Sequence, residues 1–424
     1  MYYFYYFPLG TETTLRRPPA VTLGLASGLA LVHYLLNYFA PTVHLWDLLV
    51  LSTDEPTLLQ AFTACFVHAD LLHLAGNLLY LATFGPALED RVGRPLFLGI
   101  YLLSGLVSML VEAEIAGFLH PEQQGVVVLG ASGAIAGLMG LFAARCWFLR
   151  VRVAHATFAF LRGTARGGVA SIPAWAALLV WTGLQAVYAL VALDDPRGAT
   201  AYWAHFAGLL LGLGAGVAGA QFGRGLGERR LLRAERYLEE ANWYAALGEY
   251  EAYRERRGED PQGLLGEARC QRLLKRDREA LAAYRAGFAL LAARGAWVEA
   301  AEVAEEMTRL DAAASPDPRA LLRVAQGLES AGELLRAADL YERAGAAEGS
   351  GRRAASALER AGDIARRDLG DLERAARLLD SASLRLRDGG RPDGERVRHA
   401  ERLQRLSAEC RSVLARRTRL PAAI

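Results

Sequence analysis

Residues 129–140 read LGASGAIAGLMG, an apolar stretch in which one hydroxyl, Ser132, stands between Gly130 and Gly133. The run of apolar residues predicts a membrane helix over residues 129–148. Its small side chains would let a neighbouring helix approach closely. A serine in such a helix usually hydrogen-bonds to its own backbone. A chemical role for Ser132 therefore requires other groups that are directed at it.

The composition divides the 424-residue chain into two parts. The first 222 residues are strongly apolar, and the rest is rich in Arg, Glu and Ala, with acidic and basic residues interleaved. Interleaved charges are typical of a solvated helical surface and give no indication of nucleic-acid binding. The cysteines are scattered, at Cys65, Cys146, Cys270 and Cys410. Without a CxxC pair or a Cys/His cluster, the sequence indicates neither a zinc site nor a disulfide framework.

Six segments are apolar for long enough to cross a hydrocarbon core of about 30 Å, which takes roughly 20 helical residues. They cover residues 20–40, 71–86, 96–119, 129–148, 172–193 and 202–222. The predicted fold class is all-α, a six-helix transmembrane bundle followed by a soluble α-helical repeat domain. The expected domains are an N-terminal interfacial segment (1–19), the membrane domain (20–222), a linker (223–235) and the repeat domain (236–424).

The charges in the loops predict the orientation, because cytoplasmic loops are enriched in Lys and Arg. Arginine residues lie on one side, at Arg16, Arg17, Arg91, Arg94, Arg150, Arg152, Arg162, Arg166, Arg224, Arg229 and Arg230. Acidic residues dominate the other side, at Asp47, Asp54, Glu55, Glu122, Asp194 and Asp195. We therefore expect a multi-pass protein of a bacterial inner membrane, with both termini in the cytoplasm. Ser132 would then lie a short way below the outer surface.

Three further polar residues lie at a similar depth on two other predicted helices. His73 and Asn77 are four residues apart and share one helical face. His205 begins a helix in which Gly208, Gly212 and Gly216 form a strip of small residues. A neutral imidazole beside a serine can act as its general base, and His73 and Asn77 could hydrogen-bond an oxyanion. With no carboxylate predicted at that depth, a Ser-His dyad is the simpler interpretation.

The motifs around these residues resemble those of the rhomboid family of intramembrane serine proteases. FVHADLLHLAGNLLYLATFG (66–85) is similar to the family's second helix, and LEDRVGR (88–94) to the loop after it. GASG (130–133) resembles the family's GxSG motif, and AHFAGLLLG (204–212) its AHxxGxxxG motif. The resemblance implies that Ser132 is the nucleophile and His205 the base. It also implies an oxyanion site of His73, Asn77 and the Ser132 N–H, and it assigns structural roles to His68, Gly130, Gly133 and Gly208.

By the same resemblance, the substrates are transmembrane proteins within the lipid bilayer, cleaved through an acyl-enzyme without a cofactor. The fifth helix would act as a lateral gate that could be lined by Trp175, Trp181 and Tyr188. Two positions depart from the family pattern. Many family members have a Trp-Arg pair in the first outer loop, whereas this sequence has Leu59 and Gln60 in that region. Ala136 occupies the position at which an aromatic ring commonly stacks on the catalytic imidazole.

The alternative function is a catalytically weak or inactive rhomboid-like membrane adaptor. A small-solute transporter would need charged or broken helices near the midplane, and no such pair is evident.

The second half contains two helix–turn–helix patterns, residues 325–344 and 357–382, and a weaker unit over 245–260. Turns with glycine recur at Gly295, Gly332 and Gly370, 37 and 38 residues apart. Tyr284 and Tyr341 are expected to pack between the helices. These units resemble degenerate tetratricopeptide repeats, which implies a cytoplasmic protein or peptide partner. A helical scaffold that packs only on itself is the other interpretation.

Overall fold

The computed structural model describes residues 2–39, 43–119, 126–159, 164–192, 201–258, 260–311, 314–349, 351–388 and 394–419. Several loop charges used for the predicted orientation lie outside the described residues, namely Glu122, Arg162, Asp194 and Asp195. The chain divides into two compact units, Met1–Arg229 and Arg230–Ile424.

The first unit is built mainly from helices, with a small sheet at one place and a two-stranded pair at another. Its helices are α1 (Ala20–Tyr34), α2 (Val43–Leu49), α3 (Leu58–Thr63), α4 (Leu71–Val92), α5 (Arg94–Leu119), α6 (Ser132–Arg145), α7 (Ala174–Ala192) and α8 (Tyr202–Ala218). Helix α9 (Gln221–Glu239) begins in this unit and ends beyond residue 229. The strands of the unit are β1 (Tyr2–Thr11), β2 (Leu51–Ser52), β3 (Val127–Val128), β4 (Arg150–Ala159) and β5 (Thr164–Pro173). A π-helical turn, Leu35–Phe39, extends α1, and a 3₁₀ turn, Ala64–Phe66, follows α3.

The predicted membrane helices all form, but they differ in length. Four spans are long and apolar enough to cross a bilayer on their own, Ala20–Tyr38, Leu71–Val92, Arg94–Leu119 and Ala174–Val191. Helix α8 qualifies together with α9, from which it is separated by a 73° bend, and α6 is a shorter apolar helix. The protein is therefore a multi-pass membrane protein, and the predicted combination of membrane and repeat parts in a helical fold is confirmed.

Helix α4 is longer than predicted, because it continues through Pro86 and includes most of the segment interpreted as a loop. Its last turn is held by polar contacts. The Glu89 carboxylate accepts the backbone N–H groups of Val21 and Thr22 and the Thr22 hydroxyl, at 2.8–3.0 Å. These bonds satisfy free N–H groups at the start of α1. Gly93, with φ +84°, then ends the helix.

The predicted linker over residues 223–235 is part of α9 rather than an extended segment. Glu228 of α9 pairs with Arg91 of α4 at 2.8 Å and with Arg145 of α6 at 2.6 Å. Arg229 lies over the ring of Trp147, 5.0 Å from its centroid. Charges that suggested a solvated linker are instead used to fix the first turns of a helix.

A three-stranded antiparallel sheet in the order β1-β4-β5 was not predicted. The N-terminal segment, expected to be an interfacial stretch, forms β1 and pairs Tyr2 with Ala159. The hairpin of β4 and β5 replaces the expected loop after α6. Alternation along β4 was an available signal, since Val151 and Val153 are buried while Arg152 is exposed.

The second unit is a stack of helices in which each packs on the next. The helices are α10 (Trp243–Arg256), α11 (Pro261–Leu273), α12 (Asp277–Arg294), α13 (Trp297–Leu310), α14 (Pro318–Ser330), α15 (Leu334–Ala347), α16 (Arg352–Arg367), α17 (Leu372–Asp388) and α18 (Gly394–Arg419). Gly295, Gly332 and Gly370 have φ of +73°, +82° and +68° in the predicted turns. The weaker unit over 245–260 is one helix and a loop, not a helix pair.

Alanine-rich helix faces form much of the interior of this second unit, together with larger apolar side chains and tyrosines. Tyr284 and Tyr341 are buried, as predicted, and the Tyr341 hydroxyl donates to Glu329 at 2.9 Å. The small alanine side chains allow the helices to pack closely along their length.

Candidate active site

The segment before Ser132 is fixed by backbone hydrogen bonds to the segment between α1 and α4. Strand β3 pairs with β2, and the Gly130 N–H donates to the Ala64 carbonyl at 2.9 Å. Gly130 has φ +116°, a conformation that side chains disfavour. The imidazole of His73 packs against its α-carbon, since a Cβ there would lie 2.7 Å from Cε1 and 2.8 Å from Nε2. The chain thus turns sharply beside His73 and begins α6 at Ser132.

His68 holds this turn by a hydrogen bond to the backbone of Ala131. The prediction that His68 lies on the second helix is wrong, because this helix, α4, begins only after His68. Asp70 caps α4 by accepting the His73 N–H at 2.8 Å. His68 is fully buried, and its Nε2 accepts the Ala131 N–H at 3.4 Å. Burial lowers the pKa of His68 to about 4, with His73 and His33 adding to the effect. The ring therefore stays neutral, as an acceptor must.

Helices α6 and α8 pack backbone against backbone through glycines. Gly208 lies against the carbonyl of Gly133, and Gly212 against the carbonyl of Gly137. A Cβ on Gly133 would be 3.5 Å from the Ala204 carbonyl oxygen. The residues next to Ser132 and next to His205 are therefore in contact, which places the two polar side chains on neighbouring helix ends.

His205 is buried and held by residues of α7 and α8. Its Nδ1 lies 2.7 Å from Oε1 of Gln185, and its ring centroid lies 5.8 Å from that of Trp181 and 6.3 Å from that of Tyr202. Its Nε2 is buried and has no hydrogen-bond partner in the described part of the chain. Ser132 Oγ is thus not bonded to it here. One side of the imidazole is fixed and the other remains unpaired.

His73 and Asn77 lie on one face of α4, as their spacing predicted. The Asn77 amide donates to the His73 carbonyl at 3.0 Å, a bond within the helix. The rings of His73 and His68 are 5.1 Å apart and meet edge to face. Of His73 and Asn77, it is His73 that is in direct contact with the turn before Ser132.

The comparisons with known proteins match this part of the chain. Residues 55–222 match the model of the rhomboid domain, which covers about two fifths of the chain. This membrane part is a rhomboid domain. The predicted resemblance to the rhomboid family is confirmed.

Three relatives share the rhomboid region. The rhomboid-type protein YdcA of Bacillus subtilis (strain 168) is 32% identical over 135 residues, 31% of this chain and 64% of the relative. Rhomboid-like protein 6, mitochondrial, of Arabidopsis thaliana is 36% identical over 19% of this chain and 24% of its own length. Rhomboid-like protein 11, chloroplastic, of the same plant is 33% identical over 22% of this chain and 31% of its own length. The chain thus spans less than two thirds of each relative.

Among solved structures, the tetratricopeptide repeat domain of P58(IPK) aligns with 92% of this chain and 98% of its own, at 13% identity. The TM-score is 0.17, which is too low to establish a common arrangement.

Two features of the rhomboid domain were missed from the sequence. A carboxylate does lie next to His205, because Glu112 of α5 is buried and accepts the Ala204 N–H at 2.7 Å. Glu112 accepts a backbone N–H from the first turn of α8 and does not bond to the His205 imidazole. Gln185 is the residue that contacts Nδ1. Two signals were available, namely an acidic residue in the apolar sequence of α5 and the four-residue spacing of Trp181 and Gln185.

Proposed function

We propose that the protein is an intramembrane serine endopeptidase in which Ser132 is the nucleophile and His205 the general base. The observation that supports this most is the buried, unpaired Nε2 of His205, on a helix packed backbone to backbone against the helix that begins at Ser132. An unpaired buried nitrogen costs free energy, and a proton acceptor for a serine explains its retention. Apo sites often have long catalytic hydrogen bonds that shorten when substrate binds.

The reaction we propose proceeds in two stages. Ser132 Oγ attacks the scissile carbonyl carbon while His205 Nε2 takes the hydroxyl proton, and the carbonyl oxygen becomes an oxyanion. The C–N bond then breaks, and His205 returns the proton to the leaving amine. Water adds to the acyl-enzyme with His205 again as base, releasing the new carboxyl end and Ser132. The Ser132 N–H, at the start of α6, and the side chains of His73 and Asn77 would stabilise the oxyanion.

The length of α6 supports a site below one membrane surface. At about 1.5 Å per residue its 14 residues span about 21 Å, less than a hydrocarbon core of about 30 Å. Arg145, at its far end, pairs with Glu228, and such charges belong near an interface. With that end at the cytoplasmic face, Ser132 would stand about 10 Å below the opposite one.

We further propose that transmembrane segments of other proteins are the substrates and that they enter beside α7. The apolar side chains of this helix are largely exposed, and Trp175 and Tyr188 are 52% and 51% exposed. Such a surface suits lipid or an apolar substrate helix. Trp181, in contrast, packs on His205 and belongs to the site rather than to an entry path.

Cleavage of a model transmembrane substrate in lipid vesicles tests this function. We expect the purified protein to release two fragments whose new ends, read by mass spectrometry, lie in or beside the membrane segment. The Ser132→Ala variant should release none above the uncatalysed background. Equal cleavage by both proteins would show that Ser132 is not the nucleophile.

A rhomboid-like adaptor without activity is the second function that specific observations favour. Ser132 and His205 are not hydrogen-bonded, and Ala136 offers no aromatic ring to the imidazole from α6. If the wild type fails to cleave any transmembrane substrate while it still binds one, this second function replaces the first.

For the repeat unit we propose a role in binding a protein or peptide partner. A groove there is lined by side chains of both signs, Glu305 and Arg309 from α13 and Arg336, Asp339 and Arg343 from α15. Grooves of stacked helix pairs commonly hold peptides.

A chain that ends at Glu240 separates this role from catalysis. Because every residue of the proposed site lies before residue 206, we expect its rate on a model substrate to stay within about twofold of the full chain. A large loss of rate in a truncated protein that is still folded would mean that the repeat unit takes part in the chemistry.

A further inference from the structure

We infer that Gln185 is the positioning residue of His205 and does for this imidazole what a carboxylate does in a catalytic triad. The inference deepens the proposed function and rests on it. Gln185 Oε1 lies 2.7 Å from Nδ1 of the buried imidazole, across the contact between α7 and α8. Gln185 is itself partly buried, and Trp181, one turn earlier on the same face of α7, packs on the same ring.

The contact selects one tautomer of the imidazole. An amide oxygen can only accept a hydrogen bond, so the Nδ1 atom of His205 carries the hydrogen and donates it to Gln185. In a neutral imidazole, Nε2 then has the free electron pair. Nε2 is the nitrogen that is buried and unpaired. The tautomer fixed by Gln185 is thus the one that can accept a proton from Ser132.

A neutral partner suits the place where Gln185 stands. Neighbouring residues of α7 such as Leu184 and Val187 are half exposed on a membrane helix, where an ionised side chain is costly. An amide gives the directional hydrogen bond without that charge. It gives up the electrostatic stabilisation of the imidazolium that a carboxylate would supply.

Trp181 completes the support of the ring. Ala136 of α6 is fully buried and too small to hold the imidazole, whereas Trp181 lies 5.8 Å from it between centroids. Trp181 also packs on Tyr80 of α4, 6.3 Å away, so its position is fixed from a third helix. The imidazole is therefore oriented mainly from α7 rather than from the helix that carries Ser132.

Two variants and a control separate positioning from a merely structural role. Gln185→Leu keeps the approximate size and removes the acceptor, and Gln185→Glu keeps an acceptor and adds a charge. Leu103→Ala, at an exposed position of α5 outside the proposed site and the proposed entry surface, is the control. For each full-length protein, kcat and KM on the model transmembrane substrate and the rate of fluorophosphonate labelling at Ser132 are measured against pH.

We expect Gln185→Leu to lower kcat and the labelling rate at least about tenfold with KM nearly unchanged, since tautomer and orientation act on the chemical step. Gln185→Glu should recover most of the rate. Its acidic limb should move to higher pH by about one unit, because a nearby carboxylate favours the imidazolium. Glu112 of α5 and His73 of α4, the titratable neighbours from other helices, are the same in all variants. Leu103→Ala should behave as wild type.

The inference is overturned if Gln185→Leu matches wild type in rate and pH profile. It is also overturned if the Leu and Glu variants lose activity equally without any shift of the acidic limb, since that pattern indicates a structural role. In both cases the wild type is active and the proposed function stands. A wild type that neither cleaves nor becomes labelled at Ser132 contradicts the proposed function itself.

Discussion

Replacing His205 by alanine is expected to lower kcat/KM for a transmembrane substrate by about 10⁴-fold, because Ser132 then has no proton acceptor. Ser132→Ala should cause a loss of the same order. The double variant should be no worse than either single one, since residues that act as a unit are not additive. Quantitative cleavage assays on the three variants at matched protein concentration give these ratios.

His155→Ala is the matched control, because His155 lies on β4 against Gly168 and away from the site. We expect this variant to retain wild-type kcat/KM. The assignment of a Ser-His dyad is wrong if His205→Ala lowers kcat/KM by less than about tenfold. It is also wrong if the losses of kcat/KM in the two single variants add in the double variant.

Gly212→Ala is expected to cause the largest structural effect of any single methyl group in the rhomboid domain. The added Cβ would meet backbone atoms of Gly137 and Leu141, which cannot rotate away as a side chain could. We expect α6 and α8 to separate, with a loss of about 2–3 kcal/mol of stability and a fall in the thermal midpoint of about 5–10 °C. Activity should fall as well, because one helix carries Ser132 and the other His205.

Gly214→Ala on the same helix is the matched control. A Cβ at this position meets nothing within 4 Å, and the residue is exposed. We expect the thermal midpoint of this variant in detergent to stay at or slightly above that of the wild type, because alanine is the better helix former by roughly 0.5–1 kcal/mol. If the two variants unfold at the same temperature, the close approach at Gly212 does not matter for stability.

The helices that carry the proposed site could be predicted from the sequence. The helix that carries Ser132, the spacing of His73 and Asn77 and the glycine strip after His205 each follow from local rules, although α6 begins at Ser132 and not at residue 129 as predicted. The contact of Gly208 with the Gly133 carbonyl is an example of the close helix approach that these small residues predicted. The roles of Ser132 and His205 remain predictions, since they depend on chemistry that the structure does not carry out.

What could not be predicted depends on contacts between segments far apart in the chain. The last turn of α4 looked like a loop because Glu89 is charged, but the carboxylate is used by the N–H groups of Val21 and Thr22. Residues 223–235 looked like a linker for the same reason, and Glu228 pairs with two arginines there. The four-residue spacing of Trp181 and Gln185 places both on one face of α7, but only the packing of α7 on α8 brings Gln185 to His205.

The most direct test of the central claim is labelling of the purified full-length protein with a fluorophosphonate, followed by peptide mass spectrometry. An activated serine forms a stable adduct with this reagent, whereas an ordinary one reacts very slowly. We predict a single adduct on Ser132 in the wild type and none in His205→Ala. No adduct on Ser132 in folded protein, or equal labelling of Ser132 in His205→Ala, would contradict the assignment of Ser132 and His205 as nucleophile and base.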